Sequence, residues 1–163
     1  MAIAVEDLHG VRAVRPALLG LNAESAQETS ALAPERFDAM IAGAAVATFV
    51  APAEAFLLAF ASTDEFDGGH FQWFGARFAN FLYVDRVVVA ARCRRQGLGA
   101  ALYADLFTRA RRCGIDCIVC EVNLVPPNPG SDAFHAGLGF TEVGQARLDN
   151  GAKIVRYLQR PLP

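Results

Sequence analysis

The chain has 163 residues, of which 53% are hydrophobic, and a formal net charge of −2. That length suits one domain spanning residues 1–163 that closes its own core, and the composition excludes both a disordered tail and a general nucleic-acid binder. No window approaches the roughly 20 apolar residues of a membrane span, and the N-terminal stretch lacks a basic region followed by a long apolar one, so a cytoplasmic protein with no membrane partner is expected.

In chain order, residues 10–18 read as a short first strand that turns into a helix near Pro16, and residues 21–34 as a polar connection rich in capping residues. Pro34 suits the first turn of a helix through Ala44. Residues 44–51 and 54–63 follow as strands on either side of a turn at Pro52, an antiparallel pair. Residues 63–80 form a long excursion with Gly68, Gly69 and many aromatic side chains. It leads to residues 81–90, the strongest strand signal in the chain because β-branched and aromatic residues fill it. Leu98, Ala101, Leu102, Leu106 and Ala110 have the spacing of one helix face, with Arg109, Arg111 and Arg112 complementing the dipole of its last turn. A strand is predicted over residues 115–123, then a short helix begun by a capping Ser131 and closed at Gly139. Two last strands, residues 140–148 and 153–161, are joined by Asp149, Asn150 and Gly151, a hairpin turn signal. Alternating strands and helices of this kind make a mixed α/β domain.

Cys93, Cys113, Cys117 and Cys120 raise the question of a metal, and Cys117 and Cys120 have the C-x-x-C spacing. On a strand those two positions face opposite ways, so they cannot share one zinc, and the four are expected to be buried free thiols with no metal.

Between the strongest strand and its helix lies a glycine-bearing loop, Ala91 to Ala100, with Arg92, Arg94 and Arg95 on its rim. A strand, a glycine turn and a helix start present unpaired N–H groups and the positive end of a helix dipole, which suits phosphate oxygens. The plainer alternative is a solvated arginine cluster at an ordinary strand–helix joint. A P-loop would need Gly-Lys-Ser/Thr, where this chain has Gly99-Ala100-Ala101, and a dinucleotide fingerprint would need a third glycine directly after the strand.

The segment VVVAARCRRQGLGAALYADL resembles the acetyl-CoA-binding segment of GCN5-related N-acetyltransferases (GNAT). Arg94, Arg95, Gln96, Gly97, Leu98 and Gly99 match its arginine/glutamine-x-x-glycine-x-glycine/alanine pattern, with Ala100 following. A second family motif is matched by Asn128, Ser131, Phe134-His135 and Gly139-Phe140, and the wording of the chain looks most like a bacterial branch of the family. Two departures are visible: Ala91 stands where a proline is usual, and His135 where a tyrosine often follows Phe134.

The resemblance implies a GNAT fold, with a mixed, mostly antiparallel central sheet flanked by helices and splayed fourth and fifth strands. It implies acetyl-CoA as co-substrate and an amine acceptor. Its pyrophosphate would lie on the backbone of Arg95 to Ala100, the thioester carbonyl against the backbone of Val87, Val88 and Val89, and the pantetheine arm along Asn128, Ser131 and Phe134. Glu121 matches by position a carboxylate used as base in ribosomal-protein acetyltransferases. Asp85 stands where many relatives have a glutamate, and is either a second candidate base or an anchor for a cationic substrate. The plainer role for Glu121 is a salt bridge with Arg86. His135 is the expected proton donor to the coenzyme A thiolate, against a packing role beside the pantetheine. A catalytically idle acyl-CoA sensor is the alternative class.

The acceptor side offers Asp64, Glu65 and Asp67 among Phe66, Phe71, Trp73 and Phe74, either an acidic, aromatic-lined lid or core aromatics with solvated acids. The hairpin-ended C-terminus offers an edge strand that could pair two copies into a homodimer.

Overall fold

The structure, a computed structural model, describes residues 2–25 and 29–163. Its elements are β1 (Glu6–Asp7), α1 (Arg15–Glu24), α2 (Pro34–Gly43), β2 (Val46–Val50), β3 (Ala55–Ala61), α3 (Gly69–Gly75), β4 (Phe81–Val89), α4 (Leu98–Arg112), β5 (Cys117–Val125), α5 (Pro129–Gly137), β6 (Thr141–Leu148) and β7 (Lys153–Pro161). The strands form one sheet in the order β1-β2-β3-β4-β5-β7-β6. Every neighbouring pair is antiparallel except β4 with β5, as the mixed, mostly antiparallel sheet requires.

The β4–β5 pairing is short. Phe81, Leu82 and Tyr83 pair with Cys117, Ile118 and Val119, and beyond them the two strands part. Amides of β4 that point toward β5 after that separation have no strand partner, and the gap becomes a cleft. On its other edge β4 is bulged, since Leu58 pairs with Arg86 while Ala59 pairs with Val84, which leaves Asp85 as the extra residue.

Several boundaries differ from the sequence reading. The first strand is Glu6–Asp7, and residues 11–14 form a turn into α1, whose first turn holds Pro16. α1 runs to Glu24, into the expected connection; residues 26–28 of that connection lie outside the described residues. Asn128 caps α5 in place of Ser131: its side-chain oxygen accepts from the Ser131 N–H at 3.3 Å, and Pro129 fills the first turn. The C-terminal strand β7 lies between β5 and β6, so the sheet's edges are β1 and β6. Cys93, Cys117 and Cys120 are buried, but Cys113 is exposed because it ends α4 on the solvent side.

The aromatic excursion belongs to the core. Phe71 and Phe74 are buried, and Phe66 stacks on Phe60 with ring centroids 4.0 Å apart. Two of its three acids are spent locally: Asp64 accepts from the Ala61 N–H at 2.7 Å, and Asp67 pairs with Arg36 at 2.7 Å. No helix among the described residues is long and apolar enough to cross a membrane.

Candidate active site

The separation of β4 from β5 opens into a cavity of about 860 Å³. One end is the glycine loop, the other is walled by β5 and β7, and of the site residues expected from sequence only Gln96 does not line it. The Gln96 side chain turns back to donate to the Arg92 carbonyl at 3.3 Å. The acids of the excursion line a different hollow, with Arg36, Met40 and Phe60, so they form no lid over the cleft.

At the loop end, a turn of 3₁₀ helix over Ala91–Cys93 leads to Gly97, the N-cap of α4, which sits at φ 84°. Only glycine takes that left-handed conformation without strain. The N–H groups of Arg95 through Ala100 have no acceptor among the described residues, because the first turn of α4 carries no side-chain cap. Arg92, Arg94 and Arg95 are exposed, with no carboxylate partner among the described residues. Free N–H groups, a helix dipole and uncompensated arginines fit a polyphosphate. Gly99 is small for another reason than sequence suggested. A Cβ there would lie 3.0 Å from Cζ of Phe134, so the ring of α5 occupies the space that a side chain on α4 would need.

At the β5 end stands Glu121. The Tyr83 hydroxyl lies 2.8 and 3.0 Å from its two carboxylate oxygens. Burial, then the negative charge of Asp85, push its carboxyl up to about 8, with the Tyr83 hydrogen bond and Lys153 pulling partly back. The expected salt bridge to Arg86 is absent. Arg86 is buried and donates to Asp85 at 2.7 Å, to Asn22 at 2.8 Å and to the Ser30 carbonyl at 3.0 Å, tying the segment after α1 to β4. Asp85 is thereby ion-paired and acts on Glu121 through its charge.

Sequence reasoning missed the groups around this carboxyl. His70, on α3, holds Nε2 3.9 Å from Glu121 Oε1 and Nδ1 2.9 Å from the Tyr157 hydroxyl. Tyr157 stacks on Trp73 with centroids 4.0 Å apart. Burial, then the charge of Lys153, lower the pKa of His70. Nothing in the spacing of residues 70, 83, 121 and 157 could have announced this cluster, since three strands and a helix assemble it. Lys153 also lines the cleft.

His135 is buried between α4 and α5. Its Nδ1 is 2.8 Å from the Ser131 carbonyl oxygen, which can only accept, so Nδ1 carries the ring proton and donates it there. Nε2 then accepts the Tyr103 hydroxyl at 2.8 Å. Burial lowers the pKa of the imidazole, with the Ser131 hydrogen bond and the charge of Asp132 pulling partly back. These contacts also give His135 a positional role, as a brace between Tyr103 and the start of α5.

A parted β4–β5 pair, an uncapped glycine turn and a half-buried carboxyl thus meet in one cleft. Residues 18–140 match the model of the Acetyltransferase (GNAT) family. The chain belongs to the GNAT family. Solved GNAT structures share its fold along nearly the whole length. A GCN5-related N-acetyltransferase from Kribbella flavida is 22% identical, covering 99% of this chain and 98% of that one, with a TM-score of 0.69. The ribosomal-protein-alanine N-acetyltransferase of Brucella melitensis is 18% identical over 98% of this chain and 100% of its own, with a TM-score of 0.72. A putative acetyltransferase from Salmonella typhimurium, solved with its cofactor acetyl-CoA, is 18% identical over 100% and 95%, with a TM-score of 0.73. Among curated proteins the chain has no match.

Proposed function

We propose that this GNAT protein transfers an acetyl group from acetyl-CoA to a primary amine by direct attack. The observation that carries the reading is that the phosphate cradle of Arg95 to Ala100 and the half-buried carboxyl of Glu121 line one continuous cavity. Acetyl-CoA is a substrate here. Its pyrophosphate would meet the free N–H groups of the loop with Arg94 and Arg95 beside it, its pantetheine would run past Asn128, Ser131 and Phe134, and its thioester would reach the amides of Val87 and Val89, which alternate away from the β3 ladder and toward the cleft.

Glu121 is the base. An amine enters as ammonium and must lose a proton before its lone pair can attack, and a carboxyl with a pKa of about 8 is matched to that task near neutral pH. The new C–N bond forms as the C–S bond breaks. The nitrogen still carries a surplus proton after attack, and the departing thiolate needs one, so transfer between them balances the reaction without a side-chain acid. Backbone N–H groups of β4 would stabilise the oxyanion, which leaves the side chains of Val87, Val88 and Val89 replaceable.

Release of free thiol from acetyl-CoA, measured with and without a panel of amines, tests this. Amine-dependent release that Glu121→Gln abolishes is expected. Acetyl-CoA binding without release for any amine class would instead indicate an acyl-CoA sensor.

A further inference from the structure

We infer that the acceptor carries a carboxylate beside its amine, as an α-amino acid does, and that Lys153 is the residue that selects it. The inference rests on the acetyl-transfer reading above and names its substrate class.

The register of β5 with β7 sets Glu121 opposite Tyr157 and Asn123 opposite Val155. Strand alternation keeps Lys153, Val155 and Tyr157 on the same face, so Lys153 stands over the same cleft as Glu121. It is four residues from Tyr157, about 13 Å along the strand, a gap for a lysine stem and a short zwitterion to bridge together. Lys153 lines the cavity and forms no ion pair with a described residue. Asn123, also on the wall and buried, spends no side-chain hydrogen bond on a described residue.

The balance of charge decides which acceptor this wall suits. Asp85 is ion-paired with Arg86 at 2.7 Å, although its charge still reaches Glu121. Glu121 is hydrogen-bonded by Tyr83 and must take a proton during turnover. Asp64, Glu65 and Asp67 face another hollow. Among the described residues, Lys153 is therefore the cation at the acceptor end that is left without an ion pair, in the same cleft as the carboxyl of Glu121. A polyamine would set a second cation against it, whereas a free carboxylate would meet an ammonium and, beside it, the amide of Asn123. An amine nitrogen at Glu121 and a carboxylate at Lys153 also orient the nucleophile toward the thioester from both ends.

The experiment compares amino acids with their own carboxamides as acceptors for the full chain, by thiol release from acetyl-CoA. The free acid should exceed its amide in kcat/KM by about 10- to 100-fold, the worth of a hydrogen bond to a charged group. Lys153→Met should bring the free acid down to the level of the amide, Lys153→Arg should keep the preference, and Lys153→Glu should reverse it. Equal rates for acid and amide in the wild type overturn the inference. So does a preference that survives in Lys153→Met, or a Lys153→Met defect that is the same for both acceptors, which would make Lys153 a tuner of Glu121 alone. The acetyl-transfer reading fails separately, by the absence of thiol release with every amine.

Discussion

The Tyr83 hydroxyl reaches both oxygens of Glu121, at 2.8 and 3.0 Å, from the last residue of β4 that still pairs with β5. The point where the strands part is thus also the point where the carboxyl is held. Because protonated Glu121 cannot accept a proton from the amine, kcat should rise with pH through about 8 and level off above it. Tyr83→Phe removes a hydrogen bond that favours the anion, so the rising limb should move to higher pH, which titration of the acceptor amine would not do. Glu121→Gln should lower kcat by about 10²–10⁴. Profiles of kcat against pH for the three proteins check this.

The same shift predicts a stability trend. A carboxyl whose folded pKa is raised from 4.5 to about 8 contributes stability that is fully present below pH 4.5 and is lost as pH rises through about 8. Glu121→Gln cannot ionise, so its thermal midpoint should hold over that window relative to wild type. Melts at intervals from pH 5 to pH 9, read by circular dichroism, give the comparison.

Gly99 faces the ring of Phe134. Gly99→Val should lower both the thermal midpoint and acetyl-CoA affinity, because the ring must shift toward the cleft. Adding Phe134→Leu makes room for the new side chain and should recover much of the lost stability. Calorimetry that shows unchanged affinity for Gly99→Val would overturn the cradle reading.

His135 accepts from Tyr103 and donates to the Ser131 carbonyl, so its loss should be structural. His135→Phe leaves the buried Tyr103 hydroxyl without its acceptor, at a cost of about 1–3 kcal/mol. For a domain of this size that lowers the thermal midpoint by about 2–4 °C per kcal/mol. Turnover at saturating substrate should fall far less than the roughly 10²–10⁴ expected for a lost proton donor. A kcat loss of that size in a folded variant would make His135 the acid.

Gly144 lies under Trp73, the sole tryptophan of the chain, where a Cβ would come within 2.5 Å of ring atom Cζ2. Gly144→Ala should push the indole off Tyr157, whose hydroxyl holds His70. A shift in tryptophan emission, together with a reduced kcat, is the expected result.

Apart from β1, expected a few residues later, and α3, expected as part of a long excursion, the order of strands and helices, the glycine loop and the second motif at Asn128 to Phe140 were legible in the sequence, because each is set by neighbours along the chain. Periodicity two or 3.6 marks an element, and a left-handed turn needs Gly97 wherever the rest of the chain lies. The roles of side chains were decided only in three dimensions. A salt bridge to Arg86 was the plainer alternative for Glu121, but Arg86 spends its guanidinium on Asp85, the extra residue of the bulge. That Tyr103 and Ser131 engage both nitrogens of His135 could not be read from its position after Phe134. His70 and Lys153 carried no signal, since α3 and β7 bring them to Glu121 from sequence positions far away. A protonation state depends on burial and on charges a few ångströms off. Those distances exist only after the sheet has closed.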